Sequence, residues 1–308
     1  MNIVILDADT LGECDLSQIE ALGDVVSYGF TESAQALERC READIIITNK
    51  VILNEALLKQ LNKLKLICIT ATGTNNVDLD YAAQRGIVVK NVAGYSTDSV
   101  AQHTLSLVLH FLAYLSYYDN YCKSGEWCES KVFAHIHSGM RELKGLQWGI
   151  IGFGNIGQEV ARLAQCFGAN VSYHSTSGKN TQQSITHKSL EQILSQSDII
   201  SIHAPLNTHT HNLINATNLP LLKDNCILIN VGRGGIVNER DIAAFLRTKS
   251  MFFGTDVLEN EPMKPNHPFL DKAIAPKILL TPHIAWAYEE ARAKLLSLTA
   301  QNIREFLG

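Results

Sequence analysis

Three polar side chains each stand just past the end of an apolar run in the second half of the chain. Cys226-Ile227-Leu228-Ile229-Asn230-Val231 leads into Gly232-Arg233-Gly234-Gly235, and Phe252-Phe253-Gly254-Thr255-Asp256-Val257 leads into Leu258-Glu259-Asn260-Glu261-Pro262. Ile278-Leu279-Leu280-Thr281-Pro282 delivers His283-Ile284-Ala285-Trp286. A guanidinium at Arg233 can clamp a carboxylate through two parallel hydrogen bonds and polarise an adjacent carbonyl. An imidazole at His283 can protonate the carbonyl oxygen as hydride reaches carbon, and take that proton back in reverse. A carboxylate at Glu261 would favour the imidazolium and orient the ring. Together they fit reversible hydride transfer on a 2-keto or 2-hydroxy acid.

Hydride chemistry requires a carrier, and Gly152-Phe153-Gly154-Asn155-Ile156-Gly157 offers its site. The apolar Leu146–Ile151 before it reads as a buried strand. After it, Ile156, Val160, Leu163, Ala164 and Phe167 recur at helical spacing. Strand, G-x-G-x-x-G and helix in that order form a dinucleotide-binding fingerprint. The pyrophosphate then sits at the helix N-terminus, where free N–H groups and the dipole favour negative charge. An acidic residue about twenty positions on would normally hold the adenosine ribose. None occurs between Glu159 and Glu191; His174-Ser175-Thr176-Ser177-Gly178-Lys179-Asn180 stands there instead.

The elements that must position these residues follow from the apolar rhythm. Strands are expected at Ile3–Leu6, Val25–Tyr28, Ile45–Thr48, Leu66–Thr70 and Ile87–Val89, with helical stretches between them. A long helix capped by Ser96-Thr97-Asp98-Ser99 is expected to run to about Tyr118, and Lys123 to Met140 reads as a surface excursion. A second series of strands begins at Leu146 and reaches Ile278–Leu280; Tyr288 to Phe306 has helical periodicity. This βα alternation implies parallel sheets with helices on both faces. The fold class is therefore α/β, with two doubly wound parallel-sheet domains.

Composition agrees with a globular enzyme. The 308 residues are 46% hydrophobic and 19% charged, enough for about two domains. The net charge of −5 and the lack of a basic run give no reason to expect a nucleic-acid surface. Met1 to Asp7 reads as a first strand rather than a signal peptide, and no segment suits a membrane span. Seven scattered cysteines suit reduced thiols in a cytoplasm better than a disulfide framework.

These motifs resemble the D-isomer-specific 2-hydroxyacid dehydrogenase family over essentially the whole chain, most closely its glycerate dehydrogenase (hydroxypyruvate reductase) branch. The resemblance implies a flavodoxin-like substrate domain from residues 1–98 plus 287–308 and a Rossmann dinucleotide-binding domain from 99–286. It makes Arg233 the substrate-binding arginine, Glu261 the carboxylate partner and His283 the acid/base. It places Asn155 and Ile156 at the pyrophosphate turn and Pro205, Val231, Gly232 and Asp256 beside the cofactor; Gly152, Gly154 and Gly157 of the turn, the loop residues His174, Ser175, Thr176 and Lys179, and Thr104, Arg233, His283 and Trp286 complete the candidate cofactor contacts. Thr72, Gly73, Thr74 and Asn75 match the loop whose backbone N–H groups hold the substrate carboxylate, with Arg233 and Trp286 as further substrate contacts. A cleft that closes on substrate and a homodimer built on the middle domain are also implied.

The leading substrates on this reading are hydroxypyruvate and glyoxylate, and the cofactor is NAD or NADP. A carboxylate after the second strand would repel a 2′-phosphate, so its absence favours NADP, although no arginine is there to fork the phosphate. His203, His209 and His211 lack a nearby carboxylate or cysteine partner, so no metal is expected. Two alternatives stand beside this. One is a nucleotide-sensing corepressor on the same fold, which would require peptide-docking surfaces, usually on added tails. The other is a phosphoglycerate or phosphite dehydrogenase, for which the front loop lacks a Lys/Arg cluster.

Overall fold

The computed structural model describes residues 1–308, which divide into two compact units, Met1–Ser96 with Trp286–Gly308 and Thr97–Ala285. In the first unit, strands β1 (Asn2–Ile5), β2 (Asp24–Ser27), β3 (Ile45–Thr48), β4 (Leu66–Ile69) and β5 (Val88–Asn91) lie parallel in the order β2-β1-β3-β4-β5. This is the flavodoxin-like order. Helices α1 (Ser17–Glu20), α2 (Ser33–Cys40), α3 (Glu55–Leu58), α4 (Leu79–Gln84) and the C-terminal helix Glu289–Leu307 complete it. Alternate strand residues serve opposite faces. Ile45 and Ile47 join a cluster with Leu295 and Ile303 of the C-terminal helix, whereas Ile46 joins Leu58 and Ala82. Burial on both faces is why the strands read as unbroken apolar runs.

Trp286, expected with the second domain, groups with the first. Its indole packs edge-on against Tyr95 with ring centroids 6.3 Å apart, at the margin of the cluster around Leu295.

The second unit opens with α5 (Thr97–Ala113) and α6 (Leu115–Lys123). Its sheet then comprises β6 (Gln147–Ile151), β7 (Asn170–His174), β8 (Thr186–His187), β9 (Ile199–Ile202), β10 (Ile227–Asn230), β11 (Phe252–Thr255) and β12 (Ile278–Leu280). Helices α7 (Asn155–Cys166), α8 (Leu190–Gln196) and α9 (Glu239–Thr248) connect them. The parallel order is β12-β11-β10-β9-β6-β7-β8, which is the Rossmann order with one added edge strand. The winding direction reverses between β6 and β9, and the crevice there is where ligands of such sheets bind.

Two expectations are corrected. The long helix does not reach Tyr118: it breaks at Tyr114, which adopts φ 52° and ψ 41°. The phenol ring is held by His137, 4.2 Å away between centroids, and Gly139 packs so closely that a Cβ there would lie 2.1 Å from the hydroxyl oxygen. Second, β8 was not anticipated, because two residues are too few to show periodicity.

Candidate active site

The glycine turn follows β6 directly. Gly152 has φ +89°, and a Cβ there would sit 2.7 Å from the Ala204 nitrogen. At Gly157 a Cβ would approach the Gly152 carbonyl to 2.3 Å, so only glycine lets α7 rise this close to its own strand. Gly154 precedes the first turn of α7, and a Cβ there would meet nothing within 4 Å. That open face exposes the N–H groups of Asn155 and Ile156, which lack helical partners. The turn thus fits a dinucleotide pyrophosphate: closed below by strand and helix, open above.

At the adenosine end, Ser175 is buried and its Oγ accepts the Asn180 N–H at 3.3 Å. Asn180 in turn donates Nδ2 to the Phe153 carbonyl at 2.6 Å, tying this loop to the glycine turn. His174 Nδ1 bonds the Lys188 carbonyl at 3.1 Å. Burial, opposed by that carbonyl and reinforced by neighbouring His187, holds its pKa below the ordinary value. Thr176 is half-buried and Lys179 fully on the surface.

The catalytic candidates all belong to the second unit. Asn230, at the end of β10 and 2% exposed, donates Nδ2 to the Arg233 carbonyl at 3.0 Å and accepts the Gly232 N–H at 3.2 Å. The turn is pinned while the Arg233 side chain projects to the surface, Nη1 donating to the Gly232 carbonyl at 2.8 Å. At Gly234 a Cβ would fall 1.9 Å from the Leu258 carbonyl oxygen, so the turn after β10 lies flush against the loop after β11. That loop carries Glu261. Its Oε1 accepts the Leu258 N–H at 2.9 Å, and its Oε2 lies 2.7 Å from His283 Nδ1. With Nδ1 engaged, Nε2 is the ring atom left for a substrate.

His283 itself has φ +57°, a left-handed conformation. Asp256 holds it there. Its carbonyl accepts the His283 N–H at 2.8 Å, Oδ1 accepts from Thr281 Oγ1 and Ile284 N, and Oδ2 accepts Ala285 N at 2.8 Å. Only 2% exposed, Asp256 is committed to the histidine turn. Beneath it, His103 Nε2 lies 3.1 Å from Thr281 Oγ1. Burial lowers the His103 pKa, and the Asp256 carboxylate opposes that shift.

The remaining candidates are placed as follows. Pro205 is exposed, Val231 buried and Gly232 half-buried beside the Ala204 carbonyl. Thr104 is fully buried and its hydroxyl donates to the Val100 carbonyl at 2.7 Å, so its side chain is spent within α5. Thr72, Gly73, Thr74 and Asn75 follow β4 in the first unit; Asn91 Nδ2 fastens the Thr72 carbonyl at 2.7 Å. His209 and His211 are exposed, while His203 faces Ser201 Oγ at 3.0 Å and burial pushes its pKa down to about 3. No group of three or more His, Cys, Asp and Glu side chains is placed to hold a metal ion. Sequence reasoning did not find Asn230, His103 or Asn180; a polar residue ending an apolar strand was the available signal for Asn230.

A Rossmann-ordered sheet with an open glycine turn and a Glu–His pair at its strand ends defines a dinucleotide-dependent oxidoreductase. The family model for the D-isomer specific 2-hydroxyacid dehydrogenase, NAD binding domain, matches residues 105–285. The chain belongs to the D-isomer specific 2-hydroxyacid dehydrogenase family. It is 32% identical over 317 aligned residues to the hydroxypyruvate reductase of Blautia hydrogenotrophica, covering 100% of this chain and 97% of that one. It is 33% identical over 308 residues to the glycerate dehydrogenase of Methylorubrum extorquens, covering 99% and 96%. Its fold superposes with a TM-score of 0.83, at 26% identity and covering 100% and 93%, on the NADPH-dependent glyoxylate/hydroxypyruvate reductase of Sinorhizobium meliloti, solved with NADP and malonate. The protein transfers hydride between a nicotinamide dinucleotide and small 2-keto or 2-hydroxy acids.

Proposed function

We propose that this protein reduces hydroxypyruvate to D-glycerate, with glyoxylate as its second substrate. The names of the relatives support the substrate class, and the observation that carries the mechanism is the 2.7 Å pairing of Glu261 with His283. The bound nicotinamide supplies the hydride. Arg233 clamps the substrate carboxylate and polarises the 2-keto oxygen. His283 delivers a proton from Nε2 to that oxygen, and Glu261 keeps the ring oriented. Asn155, Ile156 and the open face at Gly154 would hold the pyrophosphate, and Val231, Gly232 and Asp256 would stand at the nicotinamide end. A panel of 2-keto acids tests this. Hydroxypyruvate or glyoxylate should show the highest kcat/KM, and preference for pyruvate or a phosphorylated acid would overturn it.

The cofactor reading is NADP over NAD. No carboxylate follows β7 to repel a 2′-phosphate, and Thr176, Ser177 and Lys179 stand on the loop there. Because burial disfavours the charged form of His174, Lys179 is the cation assigned to the phosphate. NADPH should give the higher kcat/KM in the same panel, and Lys179→Ala should narrow the gap. A clear NADH preference would reverse the assignment.

We also propose a cytoplasmic homodimer. All seven cysteines are unpaired, which suits a reducing compartment. No helix is long and apolar enough to cross a membrane. In the arm after α6, Val132, Phe133 and Ile136 are 66%, 91% and 84% exposed. Tyr121 stacks on His135 at 4.2 Å and the Tyr118 hydroxyl accepts the His137 N–H, so the arm is braced while its apolar side chains point outward. A patch of this kind marks an interface, here with a second copy. Light scattering should give about twice the 34.0 kDa chain mass for the wild type and a monomer for Phe133→Asp/Ile136→Asp; a monomeric wild type would refute it.

A further inference from the structure

The loop that carries Glu261 is itself held by a second, internal carboxylate–histidine pair. Glu239, the first residue of α9, accepts the Glu259 N–H on Oε1 at 2.6 Å and bonds His267 Nε2 through Oε2 at 2.8 Å. Both side chains are largely buried, 14% and 9% exposed. His267 Nδ1 accepts the Phe269 N–H at 3.2 Å, capping the short helix Pro268–Leu270, so the ring proton resides on Nε2 and is donated to Glu239. Each of the four polar side-chain atoms of the pair is therefore bonded.

What the pair holds is the Leu258–Glu259 peptide, where the Glu261 loop meets the turn that carries Arg233. The Leu258 N–H, in the peptide just before it, fixes Glu261 Oε1, while Gly234 beside Arg233 packs against the Leu258 carbonyl and the Glu259 nitrogen. Glu261 Oε2 in turn orients His283. We infer that Glu239 and His267 are positioning residues for the reaction, setting the loop from which Glu261 holds His283. They act through that loop rather than on substrate. This rests on the assignment of His283 as proton donor and extends it by one layer.

Glu239→Gln tests it with almost no change in volume. The amide oxygen still accepts the Glu259 N–H, but its nitrogen then faces the His267 Nε2–H, donor against donor. Relief requires the His267 ring to change tautomer and abandon Phe269, or the amide to turn from Glu259. His267→Asn is the second variant: it keeps a capping acceptor for Phe269 and gives up the reach to Glu239. Both variants should lower kcat roughly 10- to 100-fold, with the cofactor Kd and Tm close to wild type. Both should also raise the solvent deuterium isotope effect on kcat, since a misaligned Nε2 makes proton delivery more fully rate-limiting. A merely structural pair would leave that isotope effect in place. If His283→Asn is inactive while both variants keep wild-type kcat, or lose it without raising the isotope effect, the positioning role is wrong and the proton-donor assignment stands. If His283→Asn itself keeps full turnover, both fall.

Discussion

Replacing His283 by Asn is expected to lower kcat for 2-keto acid reduction by about 10²- to 10⁴-fold, with the Kd for NAD(P)H unchanged. Asn is the informative substitution because of the backbone. His283 has φ +57°, a region that Asn tolerates and Ala does not favour. Ala would add strain to the loss of the ring, and the two effects would be confounded. Asn keeps the Asp256 carbonyl bond to residue 283, the turn and the space, and removes only the group that delivers the proton. Stopped-flow measurement of single-turnover hydride transfer separates this from product release. Wild-type single-turnover rates would end the assignment.

Arg233→Gln is expected to reduce kcat/KM for the keto acid by about 10²- to 10³-fold through the loss of a bidentate, charge-assisted clamp. Most of the loss should be in KM, because the guanidinium holds the carboxylate in ground and transition states alike. Asn230 makes this a clean experiment. It binds the backbone of Gly232 and Arg233, so the turn keeps these two bonds when the Arg233 Nη1 bond to the Gly232 carbonyl is lost. Arg233→Lys should recover only part of the activity, since a point charge lacks the planar fork. Steady-state kinetics at saturating cofactor decide this; an unchanged KM in Arg233→Gln would exclude the clamp.

Much of this was legible in the chain. Gly152, Gly154 and Gly157 could be read because each glycine meets a separate local need and the flanking apolar periods state which element precedes and follows. Arg233, Glu261 and His283 could be read because each stands immediately past an apolar strand, where a parallel sheet must present its ligand-facing residues. The break at Tyr114 could not, because helical periodicity continues straight through it. Its cause is contact with His137 and Gly139, more than twenty residues away.

The sequence by itself determined the α/β class, the dinucleotide turn and the three residues to which the reaction is assigned, since all of these rest on short-range spacing and side-chain chemistry. Tertiary structure alone decided how they are held. Glu261 meets His283 across a 22-residue separation, Asp256 imposes the left-handed turn from 27 residues upstream, and Glu239 anchors Glu259 from the start of α9. Hydrogen bonds between residues distant in sequence depend on strand order and register. No local pattern encodes those, because they arise only when the whole sheet has packed.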